Sequence, residues 1–258
     1  MAVIEGEVVQ LRRDDHEIEI LLQALDAEPS EAFFQSRVLP FNLLKDNLCR
    51  IEIYTTVEHT YLFMDIHHII YDGGSVAILM ADLQRCYNGI AIEQELFTAY
   101  DYSLYYADWK ASETYSASEA YFDRLVAGAE SVLYPVSVDT KSDSGSEELM
   151  VSIPRGSVTE LCRKVGVTEN CLFTTALTQV LHRITREEDL LITTISNGRS
   201  SAKMAESVGM FVQTLPVVSH RNHQTVFECL TDMQQQLLET ISRDKYPFTR
   251  LVERHGVK

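Results

Sequence analysis

The sequence predicts an α/β fold, a mixed sheet with flanking helices, and three observations carry that expectation. Short runs of alternating or continuous apolar residues take turns along the chain with longer runs of helical spacing. Turn signals such as Asp72-Gly73-Gly74 and Asn88-Gly89 separate them. Over 258 residues, an apolar content of 45 % with 23 % charged residues belongs to a chain able to bury a sizeable core.

Taken in order, EVVQL (7–11) predicts a strand and residues 17–25 a short helix. RIEIYT (50–55) alternates polar and apolar residues as a half-buried strand does. HTYLFMDIHHII (59–70) is more continuously apolar and predicts a central strand covered on both faces. Beyond the Asp-Gly-Gly turn, Ser75 is placed to cap a helix carrying Val76, Leu79, Met80, Leu83 and Tyr87, which Asn88-Gly89 stops. An aromatic segment (98–110) precedes a helical pattern reaching about Gly128. Residues 136–147 are polar, Ser/Asp-rich and aperiodic, and predict a linker between a lobe at 1–135 and another at 148–258. In the second lobe ELMVSIP (148–154) predicts a strand, 158–165 a helix and Asn170 the start of a longer one. Strands at 189–196 and 211–220 follow, then a helix over 225–243, and Pro247-Phe248 starts the last helix. No internal repeat is visible.

A formal net charge of −16 argues against nucleic-acid binding, which needs Lys and Arg to displace counterions, and against docking on anionic membranes. Five scattered cysteines without a CxxC pair suggest reduced thiols and no metal site. His220 and His223 form an HxxH, but in a polar setting that reads as a solvated turn. The first residues lack a signal-peptide apolar region, and no run approaches the roughly 20 apolar residues of a membrane span, so the expectation is a soluble, cytoplasmic chain.

HHIIYDGGS (67–75) is the segment that points to chemistry. If both histidines lie on a strand they face opposite ways, which disfavours joint metal ligation. One then enters the core and the other meets the mouth of a cleft. Gly73 and Gly74 permit a sharp turn with positive φ, bringing Asp72 back to pair with a basic group. A histidine beside backbone amides and a helix start suits a general base serving addition to a carbonyl. A purely structural histidine pair followed by a turn is the alternative.

The same stretch resembles the HHxxxDG signature of condensation domains from nonribosomal peptide synthetases, a family with the chloramphenicol acetyltransferase-like fold. Further segments follow in that family's order: PFNLLKDNLCRIEIY (40–54), YYADWK (105–110), SNGRSS (196–201), VGMFVQTLPV (208–217) and RDKYPFTRLVE (243–253). Gln213 stands for the usual Asn, Asp46 for the usual Gly, and Arg243 and Lys245 flank Asp244 where the family prefers His or Asn. Earlier and later family motifs have no counterpart here, so the resemblance implies the middle of such a domain, a partial two-lobed architecture.

The resemblance implies that His68 assists attack of an acceptor amine on a donor thioester, as base or by positioning the amine. His67 is implied to face inward, Asp72 to hold the loop through a salt bridge with Arg199 as its candidate partner, and Gly73 to give close backbone approach to the reacting carbonyl. Tyr106, Trp109 and Gln213 become candidates for lining the substrate tunnel, with core packing the plainer role for the two aromatics. No cofactor is implied on the chain itself. The phosphopantetheine arms of peptidyl or acyl carrier proteins and the neighbouring synthetase modules are the implied partners. Two rival expectations stand beside this: a non-catalytic fragment that associates with itself through exposed edges, and a relative doing epimerisation or coenzyme A-dependent acyl transfer. Epimerisation relatives usually carry Trp soon after the DG, where this chain has VAIL (76–79).

Overall fold

The computed structural model describes residues 1–4, 7–11, 18–131, 149–221 and 225–256. The chain groups into two units, one of Met1–Ala99 with Ser201–Met210, the other of Tyr100–Ser200 with Phe211–Lys258. The linker expected at 136–147 lies outside the described residues.

In the first unit β1 (Ala2–Ile4) and β2 (Glu7–Val9) form an antiparallel pair. β3 (Ile20–Ala24) follows, then α1 (Glu31–Gln35), β4 (Cys49–Thr55), β5 (Thr60–Ile66) and α2 (Gly73–Tyr87). The sheet order is β3-β4-β5, with β3 parallel and β5 antiparallel to β4. Within the helix expected over 17–25, residues 20–24 form a strand instead. β4 supplies a ready ladder for them, continued by Leu25 N–H donating to the Thr55 carbonyl at 2.8 Å. β5 also differs from expectation: it ends at Ile66 and lies at the sheet edge, and β4 is the central strand.

Alternation on β4 sends Arg50, Glu52 and Tyr54 to one face. Arg37, just beyond α1, donates to both Glu52 oxygens at 2.9 and 2.7 Å, and the Tyr54 hydroxyl also donates to Glu52. Arg37 is the main cause holding the Glu52 carboxyl below its ordinary range, against the effect of burial. Phe33 meets the buried Tyr54 ring edge-on, and Phe34 stacks on Phe63.

The second unit contains α3 (Ala99–Lys110, its first residue in the other unit), α4 (Glu113–Val126), β6 (Glu130–Ser131), α5 (Arg155–Val165) and α6 (Glu169–Thr185). β7 (Asp189–Ser196), β8 (Gln213–His220), α7 (Val226–Ile241) and α8 (Phe248–His255) complete it. β7 and β8 are antiparallel, β6 runs parallel to β7, and helices cover both faces of the pair. On one face Leu191 and Val218 pack with Phe122 and Val126 of α4 and with Tyr246 and Leu251; on the other, Val217 packs with Cys171 of α6 and Leu230, Met233 and Leu237 of α7. These partners are register neighbours, Leu191 opposite Val218 and Ile192 opposite Val217, so the two-residue alternation feeds two cores.

ELMVSIP does not form the expected strand. Residues 149–154 are irregular, with Leu149 87 % and Met150 83 % exposed, because no described strand pairs with them.

Gly198 makes a close backbone contact. Its φ is +65°, and a Cβ there would lie 1.8 Å from the Phe211 carbonyl oxygen. Gly198→Ala is expected to remove at least about 2 kcal/mol of folding stability, seen as a lower urea midpoint at unchanged slope.

Candidate active site

The turn between β5 and α2 holds four of the sequence-derived residues together: His67, His68, Asp72 and Gly73. Its anchor is Asp72, which is 1 % exposed and is the N-cap of α2, its Oδ1 accepting from Ser75 N–H at 2.9 Å. Asp72, not Ser75, is thus the cap. Ser75 lies in the first turn, wholly buried, and has a different task. Gly209 N–H donates to its Oγ at 2.9 Å, and the hydroxyl proton has two acceptors, Asp72 Oδ1 and the Gly209 carbonyl, each at 2.9 Å. The segment bearing Gly209 is further fixed by Val208 N–H donating to Glu95 at 2.9 Å and the Ser207 hydroxyl donating to the Phe97 carbonyl. Neither Gly73 nor Gly74 has positive φ. They enter the helix directly, so the turn comes from the hydrogen-bonded residues 67–71 instead.

The histidines follow the end of β5. His67 N–H donates to the Leu48 carbonyl at 2.9 Å, and Ile69 N–H donates to His67 Nδ1 at 3.0 Å, making that nitrogen an acceptor and holding the half-buried ring. Phe41 meets the ring edge-on at 5.7 Å. Phe41 is itself covered by the Arg50 guanidinium at 3.7 Å, and Arg50 donates to Asp65 at 2.8 Å and to the Leu39 carbonyl at 2.7 Å. His68 is exposed, as are Gly73 and Gly74. The turn therefore presents one imidazole to solvent next to the N-terminal turn of a helix, whose first N–H groups lack intrahelical partners. Burial, followed by the neighbouring Asp72 charge, pushes the Tyr71 hydroxyl above its ordinary range.

The other candidates belong to the second unit, where Phe211 gathers them. The Arg199 guanidinium lies over its ring at 4.7 Å, Tyr102 meets it edge-on at 5.3 Å, and Gln213 donates to its carbonyl at 3.2 Å. Tyr102 stacks on Tyr106, and Tyr106 touches Trp109, which reaches the core through Tyr115. Burial and the charge of Asp244 push Tyr102 up to about 12. Asp244, 5 % exposed, accepts from the Ser196 hydroxyl at 2.8 Å, and burial raises its carboxyl. Phe41 and Phe211 lie inside the motif segments 40–54 and 208–217 without being singled out there, and Ser75 was expected only as the cap of the helix.

For metals, one group among the described residues brings ligand atoms together: Glu28, Glu58 and His59, within 4.8 Å of one another and all exposed. Glu28 is engaged by Thr56 and Tyr61, which hold its carboxyl low. No helix among the described residues is long and apolar enough to cross a membrane.

A family model described as Condensation domain matches residues 1–258. Bacitracin synthase 1 of Bacillus licheniformis is 28 % identical over 264 residues, which cover 99 % of this chain and 5 % of that protein. Among solved structures, the condensation domain from the Monacolin K polyketide synthase MokA matches with a TM-score of 0.75 at 17 % identity, over 93 % of this chain and 59 % of that one. The epimerization domain from the third module of tyrocidine synthetase B matches with a TM-score of 0.74 at 18 % identity, over 94 % and 62 %. The chain thus spans about a twentieth of the curated relative and about three fifths of these solved chains. The fold is the chloramphenicol acetyltransferase-like one, and it is shared by a condensation domain and an epimerization domain.

Asp72→Ala removes the cap and one acceptor of a buried hydroxyl, and is expected to cost about 2–3 kcal/mol in urea unfolding, with Asp72→Asn, which keeps a carbonyl oxygen, costing less.

Proposed function

Because the chain belongs to the condensation-domain family, we propose that it joins a carrier-bound donor acyl or peptidyl thioester to a carrier-bound acceptor aminoacyl group as part of a nonribosomal peptide synthetase. The observation that carries this reading is the exposed His68 imidazole, set between a firmly held His67 and the first turn of α2 by a buried Asp72 that caps the helix. In the proposed step the acceptor amine nitrogen attacks the thioester carbonyl carbon. The new C–N bond forms, the C–S bond breaks, and the amine proton passes to His68 or, with His68 only orienting the amine, to the departing thiolate. The N–H groups opening α2 beside Gly73 suit the negative charge that develops on the carbonyl oxygen.

Asp72 acts in this proposal by holding the turn rather than by taking protons. Arg199, implied by the resemblance as its salt-bridge partner, is carried as a supporting residue, and Tyr106, Trp109 and Gln213 as candidates for lining the path of the substrates. The partners are peptidyl or acyl carrier proteins, whose phosphopantetheine arms bring both reactants, together with neighbouring synthetase modules. A cytoplasmic setting belongs to the same proposal, in keeping with five cysteines none of which forms a disulfide.

The test is a condensation assay with donor- and acceptor-loaded carrier proteins, read by intact mass. His68→Ala is expected to lower product formation by at least about 100-fold while leaving the circular-dichroism spectrum unchanged. Arg199→Ala is expected to lower it less. Equal product from the wild type and His68→Ala would overturn the role of His68. No product from a folded wild type would favour the non-catalytic fragment instead.

A further inference from the structure

A second buried carboxylate, Asp244 in the turn between α7 and α8, lies outside the chemistry proposed for His68. Its own turn does not need the side chain. The N–H groups of Ser242, Arg243, Asp244 and Tyr246 donate to the carbonyls of Leu238, Thr240, Ile241 and Arg243 at 3.0, 3.0, 3.2 and 3.0 Å, and the Tyr246 ring sits in the core. Among the described residues no ion pair reaches the Asp244 carboxylate, and its hydrogen bond is the one from the Ser196 hydroxyl at 2.8 Å. Lys245, next in the chain, turns to the Tyr105 hydroxyl instead. A carboxylate this buried, with so little to offset the loss of water, is costly and calls for an explanation.

The explanation lies at the end of β7. Ser196 closes that strand, and its hydroxyl, while donating to Asp244, accepts the Gly198 N–H at 3.2 Å. Gly198 sits at φ +65° against the Phe211 carbonyl, so the turn tolerates little rotation. Arg199 follows at once. Its N–H donates to Asn197 Oδ1 at 3.1 Å, and its guanidinium donates to the Asn197 carbonyl at 3.4 Å and covers the Phe211 ring. The direction in which Arg199 leaves the backbone is thus set by a turn that Ser196 ties to Asp244, 48 residues further along the chain. A long side chain with several rotatable bonds is aimed by its backbone, so a relay from carboxylate to hydroxyl to amide acts on the guanidinium. Without the carboxylate the Ser196 hydroxyl is released to other rotamers, and the Gly198 N–H loses its acceptor.

We propose that Asp244 is a positioning residue for Arg199, acting through Ser196 and the Gly198 amide to aim the guanidinium. The proposal rests on the reading of Arg199 as a supporting residue in condensation, and adds to it the group that holds Arg199 in place. Asp244→Asn keeps an oxygen to accept from Ser196, whereas Asp244→Leu keeps the size of the side chain and removes the acceptor.

Two readouts on the full chain test this: exchange of the Gly198 amide followed by nuclear magnetic resonance, and the condensation assay with and without Arg199→Ala. Asp244→Leu is expected to speed Gly198 exchange at least about tenfold, while Val217 in the core of β8 keeps its protection. In the assay Asp244→Leu is expected to lower kcat about as far as Arg199→Ala does, with little further loss when the two are combined. Asp244→Asn is expected to bring both readouts back to within about threefold of the wild type, since the acceptor is restored. Should Asp244→Leu not fold, Ser196→Ala breaks the same relay from its other end and carries the same expectations. Unchanged Gly198 exchange overturns the proposal whatever the activity. Losses that multiply in the double variant also overturn it, because Asp244 would then act apart from Arg199. A folded wild type without activity, or an Arg199→Ala variant as active as the wild type, tells against the reading of function instead, and Gly198 exchange then decides whether Asp244 sets the turn.

Discussion

The constraint on which the candidate site rests is the burial of a carboxylate. Asp72 and Ser75 are almost completely removed from water, and a buried charge or hydroxyl is tolerable only if its hydrogen bonds are made. Here they are made across 134 residues of sequence, through Gly209. That requirement fixes where α2 begins and which way residues 67–71 must turn. The exposure of His68 is a consequence of this, because the groups on either side of it are committed elsewhere.

The second unit is organised by a comparable economy around Phe211. One ring takes the Arg199 guanidinium and Tyr102, and its carbonyl takes Gln213 and lies against Gly198. Ser196 and Gln213 are register partners at the ends of β7 and β8. Between those points, residues 207–209 are held within the first unit by Phe97, Glu95 and Ser75.

Much of this was legible in the sequence, and the failures have physical causes. β4, β7, α7 and the start of α8 were readable because alternation, helical spacing and the Thr225 capping box are local signals, and local signals agree with the fold there. β3 was misread because its strand state depends on a partner 31 residues away. ELMVSIP was misread because apolar composition promises a strand only where another strand is present to receive it. At the site, the residue types of HHIIYDGGS announce a special turn, but Asp and Ser are both favoured N-caps, so residue type alone does not select Asp72 over Ser75. Phe41 and Phe211 could not be found from sequence, since an aromatic ring that supports a functional side chain looks like any other core residue.

Both three-stranded sheets follow one plan, a parallel edge strand beside an antiparallel pair, and the plan has a kinetic side. β4 and β5 are joined by residues 56–59 alone, so their hairpin closes a small loop, whereas β3 reaches β4, and β6 reaches β7, only across long connections. Loop-closure entropy then sets an order of assembly in which the β4–β5 hairpin forms early and the parallel edges dock late. The histidine-bearing turn is continuous with the early hairpin, yet its anchor at Gly209 arrives from far along the chain. Pulsed hydrogen exchange during refolding should accordingly protect Ile51–Tyr54 before the amides of Ser75 and Gly209, and the site should be the last part of its unit to acquire its final shape.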